Sequence, residues 1–315
     1  MNTAISLDGA CRIEGLGVIR AAGADAATFL QGQLTNDVAS LSESRACLAG
    51  FCSAKGRLQA SFVVWREGPD SFLLACSQDL LANTLKRLAM FVLRAKCRLS
   101  DASGEIALWG VVGASAVARL DGAPPWQLRE NSGQTIVRLT DADGLVRALV
   151  AAPAADAGVA ADAPALDPDA WRWLDVRSGV VTIEAATVDR FVPQMVNFEL
   201  VGGVDFKKGC YPGQEVVARS QYRGTTKRRT FLFECDALPR PGEDVFASTG
   251  EGAASEAAGT VATAAAGPGG SSASALIEVR LAALDSDLRL GSASGPQLRQ
   301  VDLPYRVVVE AEPAL

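Results

Sequence analysis

Two short apolar runs separated by a four-residue turn constrain the fold more than any other feature of this sequence. SFVVWR spans residues 61–66 and SFLLAC spans residues 71–76, with EGPD between them. Pro and Asp favour turns, so the pair predicts an antiparallel hairpin. A helical pattern of apolar residues follows over residues 78–96, with Ser77 as its expected N-cap. A hairpin that runs into a helix favours an α+β fold on antiparallel sheets over a doubly wound parallel sheet.

Patterns along the rest of the chain predict further short strands and helices. Residues 24–35, ADAATFLQGQLT, have helical spacing with Asp25 as the expected N-cap. An Ala/Pro/Asp-rich stretch predicts a loose connection or a poorly defined helix over residues 151–168, and residues 251–275 are predicted to contain a Gly/Ser/Ala-rich loop. Strands are predicted within residues 10–22, 106–112, 134–139 and 144–150, and a separate all-β module over residues 227–315.

The amino-acid composition excludes several kinds of catalytic and metal site. The 315 residues include no histidine, which excludes Ser-His-Asp triads, Cys-His dyads and HExxH metal helices. Seven cysteines without a CxxC pair argue against a disulfide framework and against a local zinc or iron–sulfur ligand set, so no metal ligand is assigned. The start of the sequence lacks the pattern of a leader, and no uncharged apolar run reaches about 18 residues. We therefore expect a cytoplasmic protein without a membrane span.

The run KKGCYPGQEVVAR, residues 207–219, predicts a reactive thiol at Cys210. Two lysines precede it, and a helix that begins near Pro212 would direct its positive end towards the same turn. Both effects favour the thiolate. Gly209 and Gly213 are expected to supply backbone angles that other residues resist. The alternative that stays open is a buried structural thiol, which is the usual state of a free cysteine.

Positive charge is concentrated in the same part of a chain whose formal net charge is −6. Between residues 207 and 229 a single glutamate, Glu215, accompanies seven cations. This pattern is typical of a solvated basic face, and it also suits an anion site for a folate glutamate tail, an RNA backbone or an acidic partner protein. The seven cations are Lys207, Lys208, Arg219, Arg223, Lys227, Arg228 and Arg229.

The run FVPQMVNFELVGGVDFKKGCYPGQEVVARSQYRGTTKRR, together with FLQGQLTNDV (29–38) and GFCSAKGRLQASFVVWR (50–66), resembles the YgfZ family. These proteins are folate-binding relatives of the glycine-cleavage T-protein. The resemblance implies a three-part ring around tetrahydrofolate. Its parts would be a central α/β domain from residues 1–50 and 155–226, a second ferredoxin-like domain from residues 51–154 and a C-terminal β-barrel from residues 227–315.

The resemblance also implies roles for single residues. Cys210, Lys208 and Glu215 match the hallmark positions and are the expected reactive groups. Two departures from the family concern Leu16, which is aromatic in some relatives, and Val181, where proline is usual. The expected folate contacts are Trp171, Tyr211, Gln214, Arg219 and Arg223.

Three functions remain in view from the sequence. The resemblance implies a folate-binding accessory protein for iron–sulfur enzymes, including those that thiolate tRNA, with iron–sulfur client or assembly proteins as partners and no contact with membranes or DNA. A tetrahydrofolate-dependent aminomethyltransferase is the alternative, although such enzymes do not need the cysteine hallmark. A direct RNA-binding module is a third, which the overall acidity and the lack of interleaved aromatic residues disfavour.

Overall fold

The computed structural model describes residues 7–156, 158–222, 226–247, 257–270 and 272–307. Short helices and antiparallel strand pairs make up this part of the chain, and the α+β prediction is confirmed. No helix among these residues is long and apolar enough to cross a bilayer. The strands are β1 (Gly9–Arg12), β2 (Leu16–Ala22), β3 (Ala46–Cys52), β4 (Leu58–Gly68), β5 (Ser71–Ser77), β6 (Arg98–Asp101), β7 (Ile106–Val112), β8 (Leu128–Asn131), β9 (Gln134–Arg138), β10 (Arg147–Pro153), β11 (Arg228–Cys235), β12 (Asp244–Ala247), β13 (Ala257–Ala265), β14 (Ala273–Arg280), β15 (Leu288–Leu290) and β16 (Arg299–Val301).

Six α-helices and four short 3-10 turns accompany these strands within the described residues. The helices are α1 (Ala26–Gln31), α2 (Gln78–Val92), α3 (Ala114–Leu120), α4 (Gly158–Ala161), α5 (Pro168–Arg177) and α6 (Gln214–Tyr222). The 3-10 turns are Ala185–Thr187, Pro193–Val196, Pro268–Gly270 and Leu281–Ala283.

Sheet I has the strand order β3-β4-β5-β2-β6 and contains the predicted hairpin, now extended to β4 and β5. Helix α2 packs on sheet I through apolar residues on one face, including Leu81 and Leu88, which are two helical turns apart. The helix ends at Val92 rather than at residue 96, because Leu93 has a φ of 44°, outside the range of a right-handed helix. Ser77 occupies the N-cap position, but its hydroxyl donates to the Asp79 carboxylate.

Sheet II has the order β1-β7-β10-β9-β8 and packs against the other face of sheet I. The predicted loose connection over residues 151–168 contains the end of β10 and the one-turn helix α4. Strand β1 pairs with β7, whereas β2, only three residues further along the chain, pairs with β5 and β6 in sheet I. The chain therefore changes sheets between residues 12 and 16.

The predicted boundary between residues 50 and 51 does not separate the sheets. It falls inside β3, whose residues on both sides of the boundary pair with β4. Strand β2, assigned to the central domain, likewise pairs with β5, which was assigned to the second domain. Strand pairing groups residues 16–101 in sheet I and residues 9–12 with 106–153 in sheet II.

Sheet III contains the six described strands from β11 onward, in the order β15-β12-β13-β14-β11-β16. The loop predicted within residues 251–275 is wrong where β13 forms, because β13 lies between β12 and β14 and buries Val261 completely. Small residues weaken the sequence signal of a strand, although here they pack closely against neighbouring strands. Residues 251–256 and 271 of that prediction lie outside the described residues.

Helix α5 lies against sheets II and III. Asp167 caps its start by accepting a hydrogen bond from the backbone N–H of Asp169, and Pro168 occupies the first turn, where its missing N–H costs nothing. Trp171 and Trp173 are two positions apart on this helix. Trp171 lies against sheet II, and the Trp173 indole nitrogen donates to the Ser274 hydroxyl of sheet III at 3.0 Å. Helix α5 therefore places Trp171 and Trp173 in the buried interior.

Candidate functional site: an internal cavity and an exposed cysteine turn

A cavity of about 90 Å³ lies between sheet I, sheet II and α5. This volume has room for several water molecules. The structure brings Trp171 together here with both positions at which the sequence departs from its family, Leu16 and Val181. The remaining lining residues are Leu48, Ser61, Phe62, Val63, Ala75, Cys76, Trp126, Leu139, Thr140, Arg147, Leu149, Asp175, Ser178, Val180 and Thr182.

Arg147 and Asp175 form an ion pair in this otherwise mostly apolar cavity. The Arg147 side chain is 1% exposed, and its guanidinium carbon lies 4.6 Å from the centre of the Trp171 ring, which is a cation–π contact. Burial raises the pKa of the Asp175 carboxyl, and the Arg147 charge opposes that shift. Asp175 still has 43% of its side-chain surface accessible. A carboxyl that faces a partly enclosed cavity accounts for both observations.

Two hydrogen-bond donors at the cavity have no partner among the described residues. They are Nε of Arg147 and Nε1 of Trp171, and both atoms are buried. The Trp171 indole lies close enough to Asp175 to lower the pKa of that carboxyl. The distance and angle at Nε1 nevertheless do not meet those of a hydrogen bond. Because buried donors are nearly always paired, these two atoms are available to water or a ligand in the cavity.

Sequence reasoning missed Arg147 and Asp175, although two signals were present. Asp175 comes four residues after Trp171 in a helical stretch, which places both on one helix face. Arg147 is a single cation in the apolar run GLVRALV, where a buried charge needs a partner. Gly110 fixes the position of the indole, since a Cβ on this residue would lie 2.3 Å from Trp171.

Cys210 is exposed in the turn before α6, whereas Lys208 is buried beneath the same turn. The Lys208 ammonium donates to the carbonyl oxygens of Gln31, at 2.5 Å, and Leu34, and it lies 4.9 Å from the centre of the Tyr211 ring. Burial lowers the pKa of Lys208 to about 8, and nearby carboxylates and the Cys210 thiol oppose that shift. The Lys208 ammonium thus influences the thiol through its charge, whereas its hydrogen bonds go to the end of α1 and to the residues that follow it.

The two glycines of this turn differ. Gly213 has a φ of +79°, and a Cβ there would lie 2.4 Å from the Ser53 carbonyl oxygen and 2.6 Å from the Gly56 backbone. Gly209 has no positive φ and open space around it, so the expectation that it supplies a special backbone angle is wrong. The turn therefore packs backbone to backbone against residues 53–57 at Gly213 only.

The other predicted contacts lie on or beside α6. Tyr211 is buried, which raises the pKa of its hydroxyl, and Gln214 is half-buried at the first position of the helix. Glu215 and Arg219 are exposed and pair with each other at 2.6 Å. Arg223 lies outside the described residues.

Carboxylates neutralise much of the predicted basic face. Arg219 pairs with Glu215, Arg228 with Glu278, and Arg229 with Glu199. Lys208 contacts backbone carbonyl groups instead. The run is therefore partly a set of internal ion pairs rather than an open field of positive charge.

The structure divides the predicted site residues into two groups. Trp171 lies at the cavity, whereas none of Lys208, Cys210, Tyr211, Gln214, Glu215 and Arg219 is among the described residues that line it. No histidine is available to either group. The cavity offers two unpaired donors, a carboxylate acceptor and apolar walls. The turn can present a thiol to a molecule that approaches from outside.

The three-sheet fold is that of the aminomethyltransferase T-protein. The protein superposes on the glycine cleavage system aminomethyltransferase T from Bartonella henselae with a TM-score of 0.71, over 95% of this chain and 86% of that one, at 16% sequence identity. This likeness defines the fold and confirms the T-protein-like architecture that the sequence implied.

Curated relatives identify the family more closely. The tRNA-modifying protein YgfZ of Edwardsiella ictaluri (strain 93-146) is 33% identical over 312 residues, which cover 91% of this chain and 89% of the relative. The protein of the same name from Shigella boydii serotype 4 (strain Sb227) is 33% identical over 241 residues, 73% of each chain. The chain belongs to the YgfZ family. No model in a scan of protein families matches it.

Proposed function

We propose that this protein is a cytoplasmic, folate-binding accessory factor that supports iron–sulfur enzymes, among them enzymes that modify tRNA. Its relatives carry the name tRNA-modifying protein, which supports the link to tRNA. The observation that carries the folate part is the cavity in which Arg147, Trp171 and Asp175 meet. The exposed Cys210 supports a role for a thiol that reaches partner molecules.

The chemistry of the cavity fits the pterin ring of a folate. Such a ring has flat apolar faces and an edge with both donors and acceptors. Asp175 offers acceptor oxygens, and Nε of Arg147 and Nε1 of Trp171 are unpaired donors. The aliphatic side chains of Leu16 and Val181 would contact the faces of the ring.

Tetrahydrofolate, when bound, supplies a carrier for one-carbon groups. The residues of this chain have simpler roles. Asp175 and Arg147 would orient the ring, and Trp171 would exclude water from it. The Asp175 carboxylate, paired with Arg147, would accept hydrogen bonds from the edge of the ring. Tyr211, Gln214, Arg219 and Arg223 remain proposed contacts for the rest of the folate molecule.

The Cys210 turn would act on a partner rather than on the ring. Lys208 fixes the turn from below, and Gly213 fixes it against residues 53–57. Glu215, exposed on the first turn of α6, follows the thiol in the hallmark run and would exchange protons with water. Folate and thiol would thus serve one function from separate places.

Folate binding can be measured through tryptophan fluorescence and calorimetry with tetrahydrofolate. Trp171→Phe and Asp175→Asn should weaken binding about tenfold or more, because each removes a group that contacts the ring. Trp109→Phe is the matched control, since Trp109 lies in β7 but does not line the cavity. Equal affinity in the Trp171 and Trp109 variants would remove the cavity from the proposal.

The role of the thiol can be measured in cells that lack the chromosomal copy, with tRNA thiolation as the readout. Cys210→Ala should fail to restore thiolation while the purified variant still binds tetrahydrofolate. Cys47→Ala, a change at a half-buried thiol of β3, is the control and should restore it. Full restoration by Cys210→Ala would assign that cysteine a structural role.

Aminomethyl transfer is a second candidate, which the T-protein fold and a carboxylate in the cavity favour. Incubation of the protein with tetrahydrofolate and an aminomethyl-lipoyl carrier separates the two functions. An accessory factor should form no methylenetetrahydrofolate above background, and rapid formation would establish the transferase instead.

A further inference from the structure

A second concentration of positive charge lies on α2 and the segment that follows it. Residues 80–100 contain five cations and no carboxylate, in a chain of net charge −6. All five are exposed, in contrast to the paired arginines around α6. Three exposed apolar residues lie among them. We call this region the α2 basic surface, and it consists of Lys86, Arg87, Arg94, Lys96 and Arg98 with Met90, Phe91 and Leu93.

The apolar residues of this surface are unusually accessible. Met90 is 60% exposed, Phe91 42% and Leu93 88%. Met90 and Phe91 belong to the last turn of α2, and Leu93 follows directly after its end. Contiguous exposed apolar side chains surrounded by charge are typical of sites for protein interaction.

A groove of about 420 Å³ runs beside the patch, between α2 and the 3-10 turn Ala185–Thr187 with the residue after it. Met90 lies on its edge, and Phe51 and Leu80 form part of its apolar wall. The only charged side chains that line it, among the described residues, are Lys86 and Arg87. Apolar side chains, the polar residues Gln59, Asn83 and Thr84, and two cations thus line the groove together.

The five cations have no carboxylate partner among the residues that the structure describes. The negative end of the α2 dipole, equivalent to roughly half a charge, is too small to balance them. Asp25 lies close by, but its carboxylate accepts a hydrogen bond from the backbone N–H of Lys96. A partner that supplies several carboxylates would match this field.

We propose that the α2 basic surface binds a partner protein through an acidic segment whose apolar side chains enter the groove. The aliphatic side chains of Met90 and Leu93 favour a protein over a nucleic acid, since bases bind by stacking on aromatic faces. The one ring of the patch, Phe91, already contacts the Phe51 ring edge to face, with centres 6.5 Å apart. The groove gives apolar side chains a place that phosphates would not use.

The position of Phe51 connects this surface to the cysteine turn. Phe51 lines the groove near the end of β3, and Ser53, two residues later, contacts Gly213 in the turn before α6. Two residues of extended chain span roughly 7 Å. A partner seated in the groove would thus lie beside the element against which the Cys210 turn packs.

Fluorescence anisotropy with a labelled amphipathic peptide of leucine and glutamate tests the proposal directly. The full-length protein should bind it saturably, and a peptide with lysine in place of glutamate should not bind. Lys86→Glu with Arg87→Glu should weaken binding about tenfold or more, and Met90→Asp should do the same. Higher salt should weaken binding further, because the contact is electrostatic at its border.

Matched controls keep the measurement specific. Arg45→Glu with Arg240→Glu makes the same charge change at exposed positions elsewhere, and Val117→Asp makes the same polar change at a 52% exposed residue of α3. Circular dichroism and the melting temperature should show every variant folded, since all these positions are exposed. The controls should bind the peptide as the unaltered protein does.

The proposal is overturned if the peptide does not bind saturably, or if the control variants lose as much affinity as the test variants. It is also overturned if tRNA displaces the peptide with the same dependence on Lys86 and Arg87. The same holds if phosphatidylserine vesicles bind more tightly than the peptide and depend on Met90. Because the readout involves neither tetrahydrofolate nor tRNA thiolation, its outcome is independent of the function proposed above.

Discussion

The ammonium group of Lys208 donates a hydrogen bond to the carbonyl oxygen of Gln31, 177 residues earlier in the chain, at 2.5 Å. A second bond reaches the carbonyl oxygen of Leu34. Two sequence segments that carry the resemblance to the family, residues 29–38 and the hallmark run 207–219, therefore meet at one buried cation. Lys208 satisfies carbonyl groups at the end of α1, which helix geometry leaves without partners, and fixes the turn that carries Cys210.

Lys208→Met should change how stability depends on pH. Burial lowers the pKa of Lys208 to about 8, so between that value and its ordinary value of 10.5 the unfolded chain binds more protons than the folded one. Stability contributed by this group is therefore lost as pH falls through about 8 and is fully present above 10.5. The unfolding free energy of the wild type, minus that of the variant, should rise with pH across this window in urea titrations. A constant difference would contradict the buried ammonium.

Gly213→Ala and Gly209→Ala should differ sharply in stability. The first forces a side chain into a left-handed conformation and into contact with the Ser53 carbonyl group, at a cost of at least about 1–2 kcal/mol. The second meets open space at an ordinary φ and should change stability by less than about 0.5 kcal/mol. Urea unfolding of the two variants measures both. Similar losses would show that Gly209 has a conformational role after all.

Cys210 should be the first cysteine to react in the folded protein. Five of the other six thiols are buried, and burial raises the pKa of Cys11, Cys52 and Cys76 to about 12. Cys47 is half-buried, and burial raises its pKa to about 12 as well. Treatment with iodoacetamide at neutral pH should add one group, located by mass spectrometry, and Cys210→Ser should remove that fast phase. Rapid labelling at several cysteines would contradict this arrangement.

Arg147→Met should destabilise the protein by roughly 1–3 kcal/mol, because it leaves the Asp175 carboxyl without its partner. Burial already raises the pKa of Asp175, so stability contributed by the protonated form is present at low pH and is lost as pH rises through the folded-state value. The deficit of the variant should therefore be smaller in acid than at neutral pH. Replacing both residues, with Asp175→Asn as the second change, should recover part of the loss. Thermal unfolding at two pH values gives the comparison.

The sequence predicted those parts of the fold that depend on local pattern. The hairpin of β4 and β5 and the core face of α2 follow from spacing that neighbouring residues share. The assignment of β1 and β2 to different sheets could not be predicted, because it depends on partners about 50 to 100 residues away. Strand β13 was missed for the same reason, since its small residues gain their stability from β12 and β14.

The candidate site shows the same division. Cys210 and its glycines are recognisable in one short run, and the resemblance added Trp171. The pairing of Arg147 with Asp175 joins a strand and a helix, and neither residue is unusual in its own segment. Conversely, the sequence suggests an exposed basic face that includes Arg228, yet this arginine pairs with Glu278 from another strand. Charge counted along a chain does not reveal which cations remain accessible.

Helix α5 has Trp171 at the cavity and, two positions later, Trp173 bonded to sheet III. The two indoles project from the same ten-residue helix towards different sheets, and both are buried. A ligand that moved the backbone of α5 at Trp171 would also move the indole of Trp173 relative to Ser274.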